Sequence, residues 1–282
     1  MRKITIISTL LVLIFGCDDV EKDKERRVEL IIELYQKGDY NQAIREVLAY
    51  QKKYPGEDEA WCNRALGNGY SGLFRFEEAV KYFDNALDIG FEEEWETKAT
   101  LLSKLRALTF MNSQSKSEKL VDFLLLKYPD DADIYIQIAA FYESFGDKKN
   151  ALFYGEKAYE LDDSNSILLN LLAFIYMEKG NYEKAIPLFK KTLEVDPEMF
   201  TAMNNLGYTL FLAGEEQEGE SFIKRSIENF PANPYSYYQM ALIRLSQEDQ
   251  QGMCDYLYKA HQKKFSLVYG NAVDSLTQLY CQ

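Results

Sequence analysis

Histidine is nearly missing from this chain of 282 residues, His261 being the single one. A multi-histidine metal centre and imidazole-based acid–base catalysis are therefore not expected. Proline and glycine are also sparse, at 6 and 15 residues, too few for a fold built on many tight turns. Positive charge is short as well. Thirty-two Lys and Arg face 45 Asp and Glu, for a formal net charge of -13. A phosphate-tracking protein carries a basic stripe, so nucleic acid is not an expected partner. No Gly-x-Ser-x-Gly elbow, phosphate-binding glycine loop or His-Glu-x-x-His motif is found. Gly67-Asn68-Gly69 falls in the middle of an expected helix. An enzyme is not expected, nor is a cofactor or a metal. What the chain does hold is apolar: 47% hydrophobic residues, with 21 Tyr and 17 Phe. That load needs a packed core and excludes a disordered chain.

Residues 1–16 read as a leader. Arg2 and Lys3 form a positive start and Ile4 to Phe15 are almost wholly apolar. The run is too short to cross a bilayer core of about 30 Å comfortably. It ends at Ile14-Phe15-Gly16-Cys17, and Asp18-Asp19 follow at once. This stretch resembles a bacterial lipobox, which implies lipidation of Cys17 and a membrane-anchored lipoprotein of the cell envelope, the outer membrane favoured over the inner. Residues 17–23 are then the lipidated cysteine and spacer, with 18–25 solvated. The alternatives are an uncleaved anchor or a plain signal peptide with a chance cysteine. Loss of Arg2 and Lys3 with the leader deepens the net charge to -15. Such a surface is not drawn to anionic headgroups, which leaves the lipid as the tether.

Pro129, Pro197 and Pro231 keep time through the rest of the chain. The first interval is twice the second, and the period is about 34 residues. Between these marks the pattern recurs: helix, glycine turn, helix, acidic turn. One block gives Leu172-Ala173, Tyr176, Gly180-Asn181-Tyr182, Ala185, Phe189 and Pro197. Its neighbours give Ile138-Ala139, Tyr142, Gly146, Ala151 and, on the other side, Leu206-Gly207, Gly214, Gly219, Ile223. Small residues let two helices cross closely, aromatics fill between pairs, and glycine supplies the left-handed residue that ends a helix.

These residues resemble the tetratricopeptide repeat. The resemblance implies an all-α solenoid, a right-handed superhelix of about seven helix-turn-helix repeats with a C-terminal capping helix. The repeats are expected at 24–57, 60–93, 94–131, 132–165, 166–199, 200–233 and 234–267, with the cap at 268–282. The third is degenerate, because Met111 to Ser117 replaces the glycine turn. Val268, Val273, Leu276 and Leu279 are expected to cover the last repeat.

In that family the first helix of each pair lines a concave groove. Carried onto this sequence, Asn170, Phe174, Asn204, Asn205, Tyr208, Phe211, Tyr235 and Tyr238 become a candidate peptide-binding surface. It suits an extended or helical segment of another protein. The alternative is that neighbouring helices or the cap bury much of it. A carboxylate clamp is not supported, since Phe174, Tyr235 and Gln239 stand where amide and basic residues are needed. Of the other cysteines, Cys62 reads as a buried apolar residue. Cys254 and Cys281 would lie at adjoining ends of an antiparallel helix pair, so a disulfide is expected, with two free thiols as the alternative. The function expected is a non-enzymatic, membrane-anchored scaffold for protein–protein interaction. Tyr54-Pro55 and Tyr128-Pro129 also resemble closures in the repeat lipoprotein of the outer-membrane barrel-assembly machinery, which stands as an alternative. A glycan-binding module or an enzyme is the remoter one.

Overall fold

The computed structural model describes residues 4–266 and 270–281, with side chains described from Val20 onward. Every helix or strand among these residues is an α-helix. The chain divides after Pro129 into two compact units. The first holds α1 (Ile4–Gln36), α2 (Tyr40–Lys53), α3 (Glu59–Gly72), α4 (Phe76–Ile89), α5 (Glu94–Phe110) and α6 (Gln114–Lys127). The second holds α7 (Ala132–Ser144), α8 (Lys148–Leu161), α9 (Ser166–Glu178), α10 (Tyr182–Val195), α11 (Phe200–Leu212), α12 (Glu216–Asn229), α13 (Pro234–Ser246), α14 (Gln250–Gln262) and α15 (Ala272–Tyr280). Within each unit every helix packs on the next in sequence. In the second unit α7, α9, α11 and α13 also touch in succession, as in a solenoid of helix pairs.

Local chemistry fixes the helix ends. The side chains of Asp39, Asp131, Asp147, Asn165, Asn181, Asn233 and Asp249 each accept a backbone N–H of the first helical turn. Such caps satisfy donors that the helix itself cannot. Gly146, Gly180 and Gly214 stop the first helix of their pairs at φ of 76°, 71° and 94°. The turn of the third pair is tighter than the sequence suggests. It runs from Met111 to Ser113, Asn112 takes the left-handed conformation at φ 53°, and α6 begins at Gln114. Asn tolerates that conformation better than most residues.

The crossings inside the pairs depend on small residues. Ala139, Ala151, Ala173 and Ala185 are fully buried. A Cβ on Gly67 would fall 2.5 Å from the Phe83 ring, and one on Gly219 would fall 2.5 Å from the Gly207 carbonyl oxygen and 2.7 Å from the Phe211 nitrogen. Leu105 occupies the corresponding site in α5, and Ile31 in α1. The α5–α6 and α1–α2 pairs pack far less extensively than the other five.

At the N-terminus the expected solvated spacer over 18–25 is instead helical and continuous with α1. Asp23 accepts hydrogen bonds from Lys53 Nζ at 2.8 Å, Tyr54 OH at 2.6 Å and Arg27 Nε at 2.9 Å, which holds its carboxyl far below the usual range. The segment is therefore joined to the end of α2. The Cys17 side chain lies outside the described side chains.

At the other end Cys254 and Cys281 form a disulfide, with Cα atoms 5.6 Å apart. The capping residues differ from those expected. Val273 is fully buried and Leu276 packs on the terminal core. Leu279, however, is 69% exposed, and Val268 lies outside the described residues. The largest buried capping side chain is Phe265, from the connection after α14. It is buried, 6.2 Å from the Tyr235 ring and 4.8 Å from the Tyr238 ring. Leu279 lies in the last turn of α15, past the reach of the core that Val273 and Phe265 close.

This packing can be tested at one crossing and at the clasp. Gly219→Ala places a methyl against backbone on both sides, so the α11–α12 crossing must open at a cost of roughly 1–3 kcal/mol. Urea unfolding reads the loss, and hydrogen exchange should rise in α10 to α13 while α7 keeps its protection. Loss spread evenly from α7 to α15 would contradict nearest-neighbour coupling. The Cys254→Ser, Cys281→Ser double variant removes a closed loop worth about 3–4 kcal/mol by chain entropy. Exchange should accelerate in α14 and α15 first, with α9 and α10 unaffected.

Candidate functional site

The first helices of the pairs in the second unit wall a groove of about 830 Å³. Ile136, Gln137, Ala140, Glu143 and Ser144 reach it from α7, and Ile167, Asn170, Leu171 and Phe174 from α9. From α11 come Thr201, Asn204 and Asn205, and Asn233 and Tyr235 close the far end. Five of the eight candidate residues are thus brought together: Asn170, Phe174, Asn204, Asn205 and Tyr235.

The other three lie elsewhere, each for a packing reason. Tyr238 lies under Phe265. Tyr208 packs against two clusters, that of Ile223, Met240 and Ile243 and that of Phe189 and Leu206, and burial pushes its phenol up. Phe211 sits at the tight α11–α12 crossing, where its backbone faces Gly219. At the seventh pair Phe265 thus lies against Tyr235 and Tyr238, both half-buried. Tyr235 is shared between the two settings. It lines the groove on one side and stacks on Phe265 on the other, and burial raises its phenol to about 12.

The groove walls are rich in amides, and their hydrogen bonding is incomplete. Asn204 is buried, and its Nδ2 donates to Gln239 Oε1 at 2.6 Å. Gln239 Nε2 in turn donates to Asn205 Oδ1 at 3.5 Å. This chain fixes the two asparagines against α13. Asn233 is committed as the cap of α13, accepting from Tyr235 N at 3.0 Å and donating to Ser236 Oγ at 3.1 Å. Asn204 Oδ1 and Asn170 Oδ1, however, are buried with no protein donor in reach. A buried acceptor without a donor costs roughly 1–3 kcal/mol, so each is a standing demand for an N–H or O–H. Glu143 adds a third acceptor. Burial raises its carboxyl above the usual range, the Glu178 charge adds to that, and Lys148 opposes it.

The α7 wall was missed from the sequence although its signal was there. One repeat period ahead of Asn170, Leu171 and Phe174 stand Ile136, Gln137 and Ala140. Of the remaining sequence candidates, Cys62 is free and fully buried, and burial pushes its thiol up to about 12. His261 is exposed and its Nδ1 lies 2.9 Å from Asp274 Oδ1, bridging α14 to α15. Among the described residues no three His, Cys, Asp or Glu side chains converge as a metal site.

Residues 132–165 and 171–234 match the tetratricopeptide repeat family, so the helix pairs α7–α8, α9–α10 and α11–α12 are tetratricopeptide repeats. No curated protein matches the chain. Among solved structures, a tetratricopeptide repeat protein from Parabacteroides merdae is similar at 17% identity and a TM-score of 0.69, over 92% of this chain and 98% of that one. The Cut9–Hcn1 assembly of APC/C gives 14% identity and a TM-score of 0.70 over 86% of this chain and 47% of that chain. PilW, a type IV pilus biogenesis factor, gives 15% identity and a TM-score of 0.61 over 78% of this chain and 99% of that one. At these identities the likeness is one of fold. The all-helical repeat solenoid is common to them.

Proposed function

We propose that this repeat protein is a non-enzymatic scaffold whose groove across α7, α9, α11 and α13 holds an extended segment of another protein. The observation that carries the reading is the pair of acceptors, Asn170 Oδ1 and Asn204 Oδ1, left without donors in the groove wall. A helical ligand spends its N–H groups internally, whereas an extended backbone brings free ones. A turn of the Asn170 amide about χ2 aims its oxygen at such a donor, while Asn204 stays held by its bond to Gln239. Phe174, Leu171 and Ile136 supply apolar subsites between the amides. Alternate side chains of the bound segment would fill them.

The test begins with affinity capture by the solubilised full chain, and the partner so found is then titrated against purified protein. Asn170→Ala with Phe174→Ala should weaken that partner by tenfold or more. Loss of one hydrogen bond and truncation of one aromatic anchor together exceed the roughly 1.4 kcal/mol that a factor of ten requires. An unchanged affinity, with the thermal melt of the variant intact, would dismiss the groove as the binding surface.

We further propose that the scaffold is tethered to a bacterial envelope membrane by lipid on Cys17. The apolar-to-acidic switch at Gly16-Cys17-Asp18 supports this. No helix among the described residues is long and apolar enough to cross a membrane. Cys17→Ser should therefore move the protein from the membrane pellet to the soluble envelope fraction. A variant that still pellets would refute the anchor and leave the groove reading standing.

A further inference from the structure

We propose that the first unit carries a second, chemically opposite docking surface, a basic-rimmed apolar groove between α4 and α6 that takes an acidic amphipathic helix of a partner protein. The groove is independent of the α7–α13 site and arises from the one repeat whose sequence departs most from the others. In five pairs the crossing site of the first helix is Gly67, Ala139, Ala173, Gly207 or Ala241, whereas the third pair has Leu105, fully buried. A leucine there holds α5 and α6 apart, and the two helices pack loosely. Beside that crossing Thr97 and Lys104 on α5 stay half-buried, with Leu101 and Leu108 buried beneath them at 5% and 2% exposure. With walls from α4 and α6, this stripe floors a cavity of about 680 Å³.

The stripe positions fall at i, i+4, i+7 and i+11, on one face of α5 and over about 16 Å of helix. A helix laid along it can seat apolar anchors at matching i, i+3 or i+4, and i+7 spacing. The hydrogen-bonding inventory favours a helix over an extended chain. Apart from Thr97 no neutral polar side chain lines the groove. A strand-like backbone would bury N–H and C=O groups there without partners, which is costly, whereas a helix satisfies its own.

Charge states the rest of the partner's chemistry. Four ammonium groups, Lys104, Lys116, Lys119 and Lys127, surround the apolar floor, and Asp84 is the only carboxylate among the lining residues. Lys104 is paired with Asp84 at 2.5 Å and Lys127 with Glu94 at 2.8 Å. Lys116 and Lys119 are exposed and have no ion pair among the described residues. In a chain of net charge -13, such a cluster of unpaired positive charge over leucines calls for a ligand with acidic flanks and an apolar face. Phe123 in the α6 wall is 47% exposed, and the apolar surface continues beyond the cavity to Leu126, 84% exposed on the same helix. A small amphiphile in the cavity would leave Leu126 wet, whereas a helix lying across the rim covers it.

The probe is a fluorescein-labelled synthetic amphipathic helix with Leu at i, i+3, i+4 and i+7 and Glu on its flanks, titrated by anisotropy into the full chain. A control peptide carries Lys in place of every Glu. The acidic peptide should bind, the Lys peptide should bind at least tenfold more weakly, and raised salt should weaken the first. Lys116→Glu with Lys119→Glu should cost the acidic peptide at least tenfold in affinity. These are exposed sites, so the far-UV melt should not change. Asn170→Ala with Phe174→Ala should leave the acidic peptide unaffected, which separates this surface from the other groove. The proposal is overturned if the acidic peptide does not bind, if both peptides bind alike, or if the double Lys variant binds as tightly as the parent. It is also overturned if phosphatidylglycerol vesicles bind the chain and displace the peptide, which would assign the lysines to a lipid surface.

Discussion

Two α-helices can share a long crossing only where their backbones come close, and that needs side chains small enough to let them. Everything else in this chain follows from how each pair meets that condition. At α11–α12 it is met by glycine on both sides, Gly207 and Gly219, whose carbonyl oxygens lie where a Cβ would otherwise stand. At α7–α8 and α9–α10 alanines serve, and at α3–α4 Gly67 accepts the flat of Phe83. The tighter the crossing, the more of each helix's apolar face is spent inside its own pair. What is left must then be covered by the next pair, which is why the pairs stack.

Where the condition fails, surface is released. Leu105 stands at the crossing of the loosely packed α5 and α6, and a groove lined by Thr97 and Lys104 over the buried Leu101 and Leu108 lies beside it. The groove across α7 to α13 has another origin, since its pairs cross normally. It is open because the first helices line up side by side, and their facing residues mix amides with apolar side chains. The two surfaces therefore differ in what they leave unsatisfied. One leaves hydrogen-bond acceptors, Asn170 and Asn204. The other leaves apolar area and positive charge. A ligand suited to the first supplies donors, and a ligand suited to the second supplies carboxylates and a hydrophobic face, so one segment cannot serve both well.

The pair architecture was legible because it rests on residue types with few substitutes. Glycine in the left-handed region, small residues at crossings and proline after the second helix leave a regular pulse that needs no coordinates to hear. The same pulse marked the groove wall of α9 and α11, and would have marked α7 had it been followed one period back. What escaped was whatever depends on a residue acting outside the pulse. Phe265 lies in a connection, and nothing in its neighbours signals that it will cover Tyr235 and Tyr238. Asn112 replaced a glycine, so the turn of the third pair read as a long gap from Met111 to Ser117. Asp18 to Glu25 looks solvated by composition, yet Asp23 finds Lys53 and Tyr54, partners far along the chain. Long-range pairing of charged residues has no period, and composition alone cannot distinguish a paired carboxylate from a wet one.

The first and last described helices, α1 and α15, are attached to their neighbours by different means. At the start a long α1 extends past the first pair and ties back through Asp23 and through Lys24 to Glu57. These ties are electrostatic and only half-buried, so salt screens them in part. At the end the short helix α15 could not hold by burial alone, since Val273 is its one fully buried side chain. Its attachment is covalent. A disulfide in that role is durable only if no nearby thiolate attacks it and the surroundings are oxidising. The remaining described cysteine, Cys62, meets the first requirement, because burial raises its thiol to about 12 and leaves almost no thiolate at neutral pH. The second requirement is one that an exported protein meets and a cytosolic one does not. The C-terminal clasp and the leader proposed for the N-terminus share no residues, and the proposed tether would place both in one oxidising compartment.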